Sequence, residues 1–375
     1  MSHVAKLRTF YRRDPHNLPL CCDFIDSLLA EGQLAEAAGV LDALPEPLRQ
    51  SAPVQWRAAR YALMTGDFEH CIATLLPLVG QLPEAEVAIR HDVAFAWAAQ
   101  GEIEEALRTL EPVVQSGGAA VALLYARVLH QQGRYEEALR ALEGADEPSR
   151  LAEVRGLRSL LLLDMNDTAQ SRAEADLALA ADSSQHEALL TLGTLTLWEK
   201  NAEFSCQLFR RILADHPHSG RALLGLGESL MLLGDVPAAR AQLDRAGKDM
   251  PRHIGTWHAL AWCQLLEGDL AGAHYSFDRA FELDRTFGET HGGFALVHAL
   301  RGERPEAQEA IKRARRLAPH GFSARYAESV LLLDDGHVEQ ASEAVRGILR
   351  DAREGGVALP EDFIFRVRDL VRPRG

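Results

Sequence analysis

A glycine that returns every 34 residues limits what this chain can become. Gly234, Gly268, Gly302 and Gly336 stand 34 apart, and Lys200 and Asn166 occupy the two equivalent places upstream. Gly133, Gly101, Gly66 and Gly32 continue the series at intervals of 32 to 35. These ten markers cover almost all of the 375 residues. A period of this length indicates repeated supersecondary units, none of which can bury its apolar face alone.

Each period has an internal order. A helical pattern precedes the marker, as in "TWHALAWCQLLE" (256–267), and a second follows it, as in "AGAHYSFDRAFEL" (271–283). The marker is where the chain reverses. Glycine tolerates the left-handed conformation that ends a helix, and asparagine is the next best choice. The acidic residue after it (Asp67, Glu102, Asp235, Asp269, Glu303) suits the positive end of the second helix. Pro217, Pro251 and Pro319 stop that helix. Ala37, Ala106, Ala138, Ala239, Ala273, Ala307 and Ala341 stand five after the marker, where a methyl lets two helices approach closely. Large residues stand four further on: Leu41, Leu75, Leu110, Leu142, Leu243, Phe277, Ile311 and Val345. The chain is rich in strong helix formers and poor in the β-branched alternation of strands.

With these residues in place the chain resembles the tetratricopeptide repeat family, whose pattern is W-x2-L-G-x2-Y…A-x3-F…P. Trp257, Leu260, Ala261, Ala273, Phe277 and Ala280 match it, as do Leu223, Leu226, Gly227, Leu230, Ala239, Leu243, Ala246 and Pro251. The resemblance implies an all-α, right-handed superhelical solenoid of about ten stacked antiparallel helix pairs over residues 18–350. Residues 1–17 and 351–375 fall outside it, and "PEDFIFRVRDLV" (360–371) reads as a capping helix. Repeat five departs from the pattern, with Asn166 at the turn and Ser171 where the small alanine belongs. Residues 152–183 are therefore expected to form a soft joint between two blocks.

Chemistry is absent from the motifs. "THGGFAL" (290–296) has neither the strand before it nor the Lys-Ser/Thr after it that a phosphate loop needs. No G-x-S-x-G, H-E-x-x-H or C-x-x-C occurs. Paired carboxylates fall on helix faces open to solvent. His253, His258, His274, His291 and His298 crowd repeats eight and nine, but they occupy packing or surface positions rather than a metal-ligand spacing. No cofactor, metal or catalytic centre is expected. The five cysteines are scattered and odd in number, which suits a reducing compartment, and the N-terminus lacks an apolar signal core. A cytoplasmic protein without membrane insertion is the expectation.

The net charge of −14 argues against nucleic acid as a partner, since such affinity rests on neutralising phosphates. Residues 301–375 are balanced, with 14 basic and 13 acidic side chains, so the acidity lies in residues 1–300. The basic termini, "KLRTFYRR" (6–13) and "RVRDLVRPRG" (366–375), read as solvated ends. By resemblance to the family, the first helix of each hairpin lines an inner groove. This places Leu190, Thr194 and Trp198 of repeat six there, with Leu224, Glu228 and Met231 of repeat seven. His258 and Trp262 of repeat eight, Gly292 and Leu296 of repeat nine, and Tyr326 of repeat ten continue the strip. The Lys/Asn/Arg set with which some relatives clamp a terminal carboxylate is not present. The expected function is a non-enzymatic scaffold, chaperone or assembly factor that holds a protein or peptide segment. By analogy alone it would serve bacterial secretion, pilus or envelope machinery. The alternative is a regulatory solenoid that senses a ligand or peptide in a notch at Gly292 and His258.

Overall fold

The computed structural model describes residues 3–145, 147–355 and 368–369, and all regular structure among them is helical. The chain divides into two compact units, Met1–Asp167 and Thr168–Gly375. In the first, helix His3–Tyr11 precedes four hairpins. These are Leu18–Ala30 with Leu34–Ala43, Ala52–Thr65 with Phe68–Leu75, Glu86–Ala99 with Ile103–Leu110, and Gly118–Gln131 with Tyr135–Ala141. Helix Leu151–Asp164 closes that unit.

The second unit opens with helix Thr168–Ala181 and continues with hairpins six to ten. Their helices are His186–Trp198 with Ala202–Asp215, Gly220–Leu232 with Val236–Asp249, and Ile254–Glu267 with Leu270–Leu283. Gly288–Arg301 with Arg304–Leu317 and Phe322–Asp334 with Val338–Gly355 complete the series. Most of the 360–371 segment read as a capping helix lies outside the described residues.

Every marker does what its position requires. All ten adopt positive φ, from 63° at Asn166 to 83° at Gly101. Eight are glycines, which reach this region without cost, and Asn166 tolerates it. Lys200, at φ 64°, does not, because its Cβ crowds the following carbonyl oxygen. Lys200→Gly is therefore expected to stabilise the protein by about 0.5–1 kcal/mol, after the extra freedom of an unfolded glycine is deducted. Urea unfolding measures it, and a loss of stability would show that no strain resides there.

The acids after the markers divide into two kinds. Asp67, Asp235 and Asp269 each accept a hydrogen bond from the backbone N–H three residues on, and so cap the second helix. Glu102 and Glu303 stand at the same place without capping, since their longer side chains do not fold back onto the first turn. Pro217, Pro251 and Pro319 follow the ends of helices Ala202–Asp215, Val236–Asp249 and Arg304–Leu317.

The small-then-large rhythm builds the core. All seven alanines five after the marker are fully buried. The large residues beyond them fill holes made by glycine. In the second unit the Phe209 ring lies against both Gly193 and Gly225, and Phe277 against Gly293, leaving no room for a Cβ at any of the three. Burial of each such ring contributes about 2–3 kcal/mol. Helix Thr168–Ala181 offers less. It buries only Ser171, Ala175 and Ala178, so an alanine stands where other repeats place a large side chain.

The N-terminus differs from expectation. Residues 3–11 form a helix rather than a solvated end, because Val4, Leu7 and Tyr11 share one face at helical spacing. Val4 and Leu7 are buried, and Tyr11 meets Phe24 at 5.2 Å between ring centroids. Arg8 donates to Glu36 at 2.6 and 2.7 Å and to Gln33 at 3.1 Å, so part of the basic run is already used.

Candidate functional site

In the second unit, helices His186–Trp198, Gly220–Leu232 and Ile254–Glu267 pack in succession, and helix Gly288–Arg301 packs on Phe322–Asp334. The strip expected to line a groove runs along these first helices. Its members fall into two groups.

Leu190, Leu296 and Tyr326 are corrected from groove positions to packing positions: they are 4%, 0% and 1% exposed. For Leu296 and Tyr326 the cause is Gly292. A Cβ there would stand 2.7 Å from the Ala324 backbone nitrogen and 2.8 Å from Ser323 Cβ. Helix Gly288–Arg301 therefore lies directly on helix Phe322–Asp334, and side chains between them are enclosed. The expected notch at Gly292 is thus filled by a neighbouring helix, which removes the basis of the ligand-sensing alternative. Trp262 is partly buried and joins this core. Its ring meets Tyr326 edge to face at 5.6 Å, a contact that reaches from hairpin eight to hairpin ten.

His258 also serves structure. Its Nε2 lies 2.8 Å from the buried Thr290 hydroxyl, and its ring packs edge-on against Phe277 and Phe287, both at 5.3 Å. Burial pushes its pKa down to about 4, so the ring is neutral at neutral pH.

Hairpins six and seven retain accessible groups. Trp198 is 41% exposed at the C-terminal end of its helix. Thr194, one turn back, is half-buried and donates its hydroxyl proton to the Leu190 carbonyl at 2.9 Å. Leu224, Glu228 and Met231 follow on helix Gly220–Leu232, each partly accessible. Glu228 is densely surrounded by protein, and burial pushes its carboxyl up to about 7. It makes no hydrogen bond or ion pair among the described residues.

One feature escaped the sequence reading. An open cleft of about 560 Å³ lies among helices Leu270–Leu283, Gly288–Arg301 and Arg304–Leu317. His274, Phe281, Phe294 and His298 line it. His274 pairs with Asp278 at 2.9 Å and His298 with Glu303 at 2.6 Å. His274, Asp278 and Phe281 are spaced i, i+4, i+7 on one helix, the pattern that could have revealed it. His291, also at the cleft, is 5% exposed and donates to the Arg285 carbonyl at 2.9 Å, as suits a packed histidine.

Among the described residues no group of three or more His, Cys, Asp or Glu is arranged to hold a metal ion. All five cysteines are free and buried. Burial pushes the Cys71 and Cys263 thiols up to about 12, leaving them inert as nucleophiles. No helix among the described residues is long and apolar enough to cross a membrane.

No curated protein sequence matches the chain. The human IFIT1 dimer with m7Gppp-AAAA is similar in structure, with 15% identity over 90% of each chain and a TM-score of 0.54. A monomeric IFIT1 mutant with Gppp-AAAA aligns over 95% of this chain and 91% of its own, at 15% identity and a TM-score of 0.55. YrrB, described as a TPR protein with an unusual peptide-binding site, aligns over 52% of this chain and 97% of its own, at 22% identity and a TM-score of 0.39. At 15% identity the likeness to the IFIT1 structures is one of fold. The family model for the tetratricopeptide repeat matches residues 98–161 and 207–263, and the helical hairpins, left-handed turns and small-then-large packing recur on either side of those segments. The chain carries tetratricopeptide repeats, matched by the family model in these two segments.

Proposed function

We propose that the protein is a non-catalytic scaffold whose second unit holds a segment of another protein against the first helices of hairpins six and seven. The observation that carries this reading is the exposure of Trp198, 41%, beside the partly accessible Thr194, Leu224, Glu228 and Met231. Stacking of the hairpins does not need an indole there. Aromatic side chains in concave, partly apolar surfaces are frequent anchors of protein interfaces. Trp262, with one edge on Tyr326, supplies the neighbouring wall. The five buried thiols suit a reducing cytoplasm. An assembly or chaperone role in secretion or envelope machinery remains analogy to related repeats.

The IFIT1 structures bring a second partner class, capped RNA, into consideration. The net charge of −14 and an acidic Glu228 in the strip argue against a polyphosphate here. Trp198→Ala separates the readings. Binding of the full chain to a peptide array is expected to weaken about 30-fold, or about 2 kcal/mol, with a stability loss of about 1 kcal/mol or less. Peptide binding that is unchanged in this variant, or a preference for m7Gppp-RNA over every peptide, would overturn the scaffold assignment.

A further inference from the structure

Glu228 poses a problem that packing alone does not solve. Other carboxylates lying between helices are answered by a donor. Asp26 has Arg57 at 2.6 Å, Glu289 has the Ser323 hydroxyl at 2.6 Å, and Asp164 has His130 at 2.6 Å. Glu228 has none among the described residues. Arg221, two turns earlier on the same helix, does not pair with it, and His258 on the following first helix spends its Nε2 on Thr290. Only burial acts on the carboxyl; no neighbouring charge relieves it. A desolvated acid without a partner costs stability, and the Glu228 side chain stays partly accessible.

We propose that Glu228 is the receptor for a cationic side chain, arginine or lysine, of the partner segment. This deepens the groove reading and rests on it. The carboxylate supplies the charge, and a guanidinium or ammonium carried by the segment supplies the missing donors. Trp198, on the preceding first helix, offers an exposed indole face for the methylene stem or for the cation itself. Leu224 and Met231, one turn to either side of Glu228, offer apolar contact to the flanking residues. The segment so specified carries one basic residue set between apolar ones. Charge complementarity favours it, since residues 1–300 hold the whole acidic excess of the chain. A segment of this kind meets a carboxylate buried in advance, where a charge-assisted hydrogen bond is stronger than in water.

The test is a positional-scanning library of acetylated, amidated decapeptides offered to the full-length wild type, Glu228→Gln, Glu228→Asp and Trp198→Ala. The wild type is expected to enrich Arg or Lys at one position by tenfold or more over Asp or Glu. Glu228→Gln should lose that preference at least tenfold while keeping the apolar positions, and Glu228→Asp should retain part of it. Thermal melting of Glu228→Gln at or above the wild-type value excludes misfolding as the cause. Basic enrichment unchanged in Glu228→Gln, or enrichment of acidic residues, overturns the assignment. An apolar consensus that Trp198→Ala abolishes, with no basic position, overturns Glu228 alone and leaves the groove standing. A library with no consensus sensitive to either variant overturns both, as does preferential binding of a capped RNA oligonucleotide.

Discussion

Gly292→Ala is expected to lower the stability of the second unit by about 2 kcal/mol, although alanine is the better helix former. In an unconstrained helix the change would gain about 1 kcal/mol. Here the new methyl would stand 2.7 Å from the Ala324 backbone nitrogen and 3.2 Å from the Ser323 carbonyl carbon. Backbone cannot swing aside as a side-chain tip can, so helices Gly288–Arg301 and Phe322–Asp334 must separate. Overpacking of this kind costs about 1–3 kcal/mol, and more where the backbone itself is displaced. Separation also loosens the enclosure of Leu296 and Tyr326, both fully buried in the same core. Gly247 supplies the control. It lies in helix Val236–Asp249, and a Cβ there would meet only the Trp257 ring at 3.5 Å, an ordinary contact. Gly247→Ala is expected to gain about 0.5–1 kcal/mol. Two identical substitutions thus move melting in opposite directions. A stabilised Gly292→Ala would show that the two helices are not held by their closeness at that point.

That glycine also marks how far the sequence could be read. The turn at each marker was legible because it is local: a left-handed residue is required wherever the chain reverses, and even Lys200 and Asn166 obey the position. The alanine and large-residue positions were legible because each copy must meet the next in the same way. The accessible part of the inner strip was not. Whether Leu296 and Tyr326 face solvent depends on the distance between two helices in adjacent repeats, which Gly292 sets and the 34-residue pattern does not express. The contact from Trp262 to Tyr326 spans hairpin nine, so no comparison of one repeat with its neighbour contains it. Trp198 keeps its exposure at the C-terminal end of its helix. The His274 and Phe281 cleft is not legible in the repeat pattern because two of its three walls are second helices, which that pattern treats as packing surfaces.

The two titratable groups of the inner strip are expected to act on stability in opposite senses. His258 takes up a proton near pH 4 when folded and near its ordinary 6.5 when unfolded. Between those values the unfolded chain holds the extra proton. The contribution is therefore complete above pH 6.5 and is lost as pH falls toward 4. Glu228 has its folded pKa raised from 4.5 to about 7, so the folded chain holds the proton longer. Its contribution is complete below pH 4.5 and is lost as pH rises through 7. Each displacement corresponds to about 3 kcal/mol, which the accessible edges of both side chains reduce to about 2. From pH 4.5 to 6.5 the two slopes cancel, and the wild type hides both. Single variants uncover them. Glu228→Gln should match the wild type at pH 4 and exceed it by about 2 kcal/mol at pH 8, because the amide occupies the same space without a charge to bury. His258→Gln should be less stable throughout, having lost its packing on Phe277 and Phe287. Its deficit should shrink by about 2 kcal/mol between pH 6.5 and pH 4, where the wild-type imidazole is itself under penalty. Urea unfolding at intervals from pH 4 to 8 measures both difference curves, in which carboxylates common to the two proteins drop out. A Glu228→Gln curve parallel to the wild type would mean that water or a counter-ion already solvates the carboxylate in the free protein, and the strip would then hold no uncompensated charge for a partner to meet.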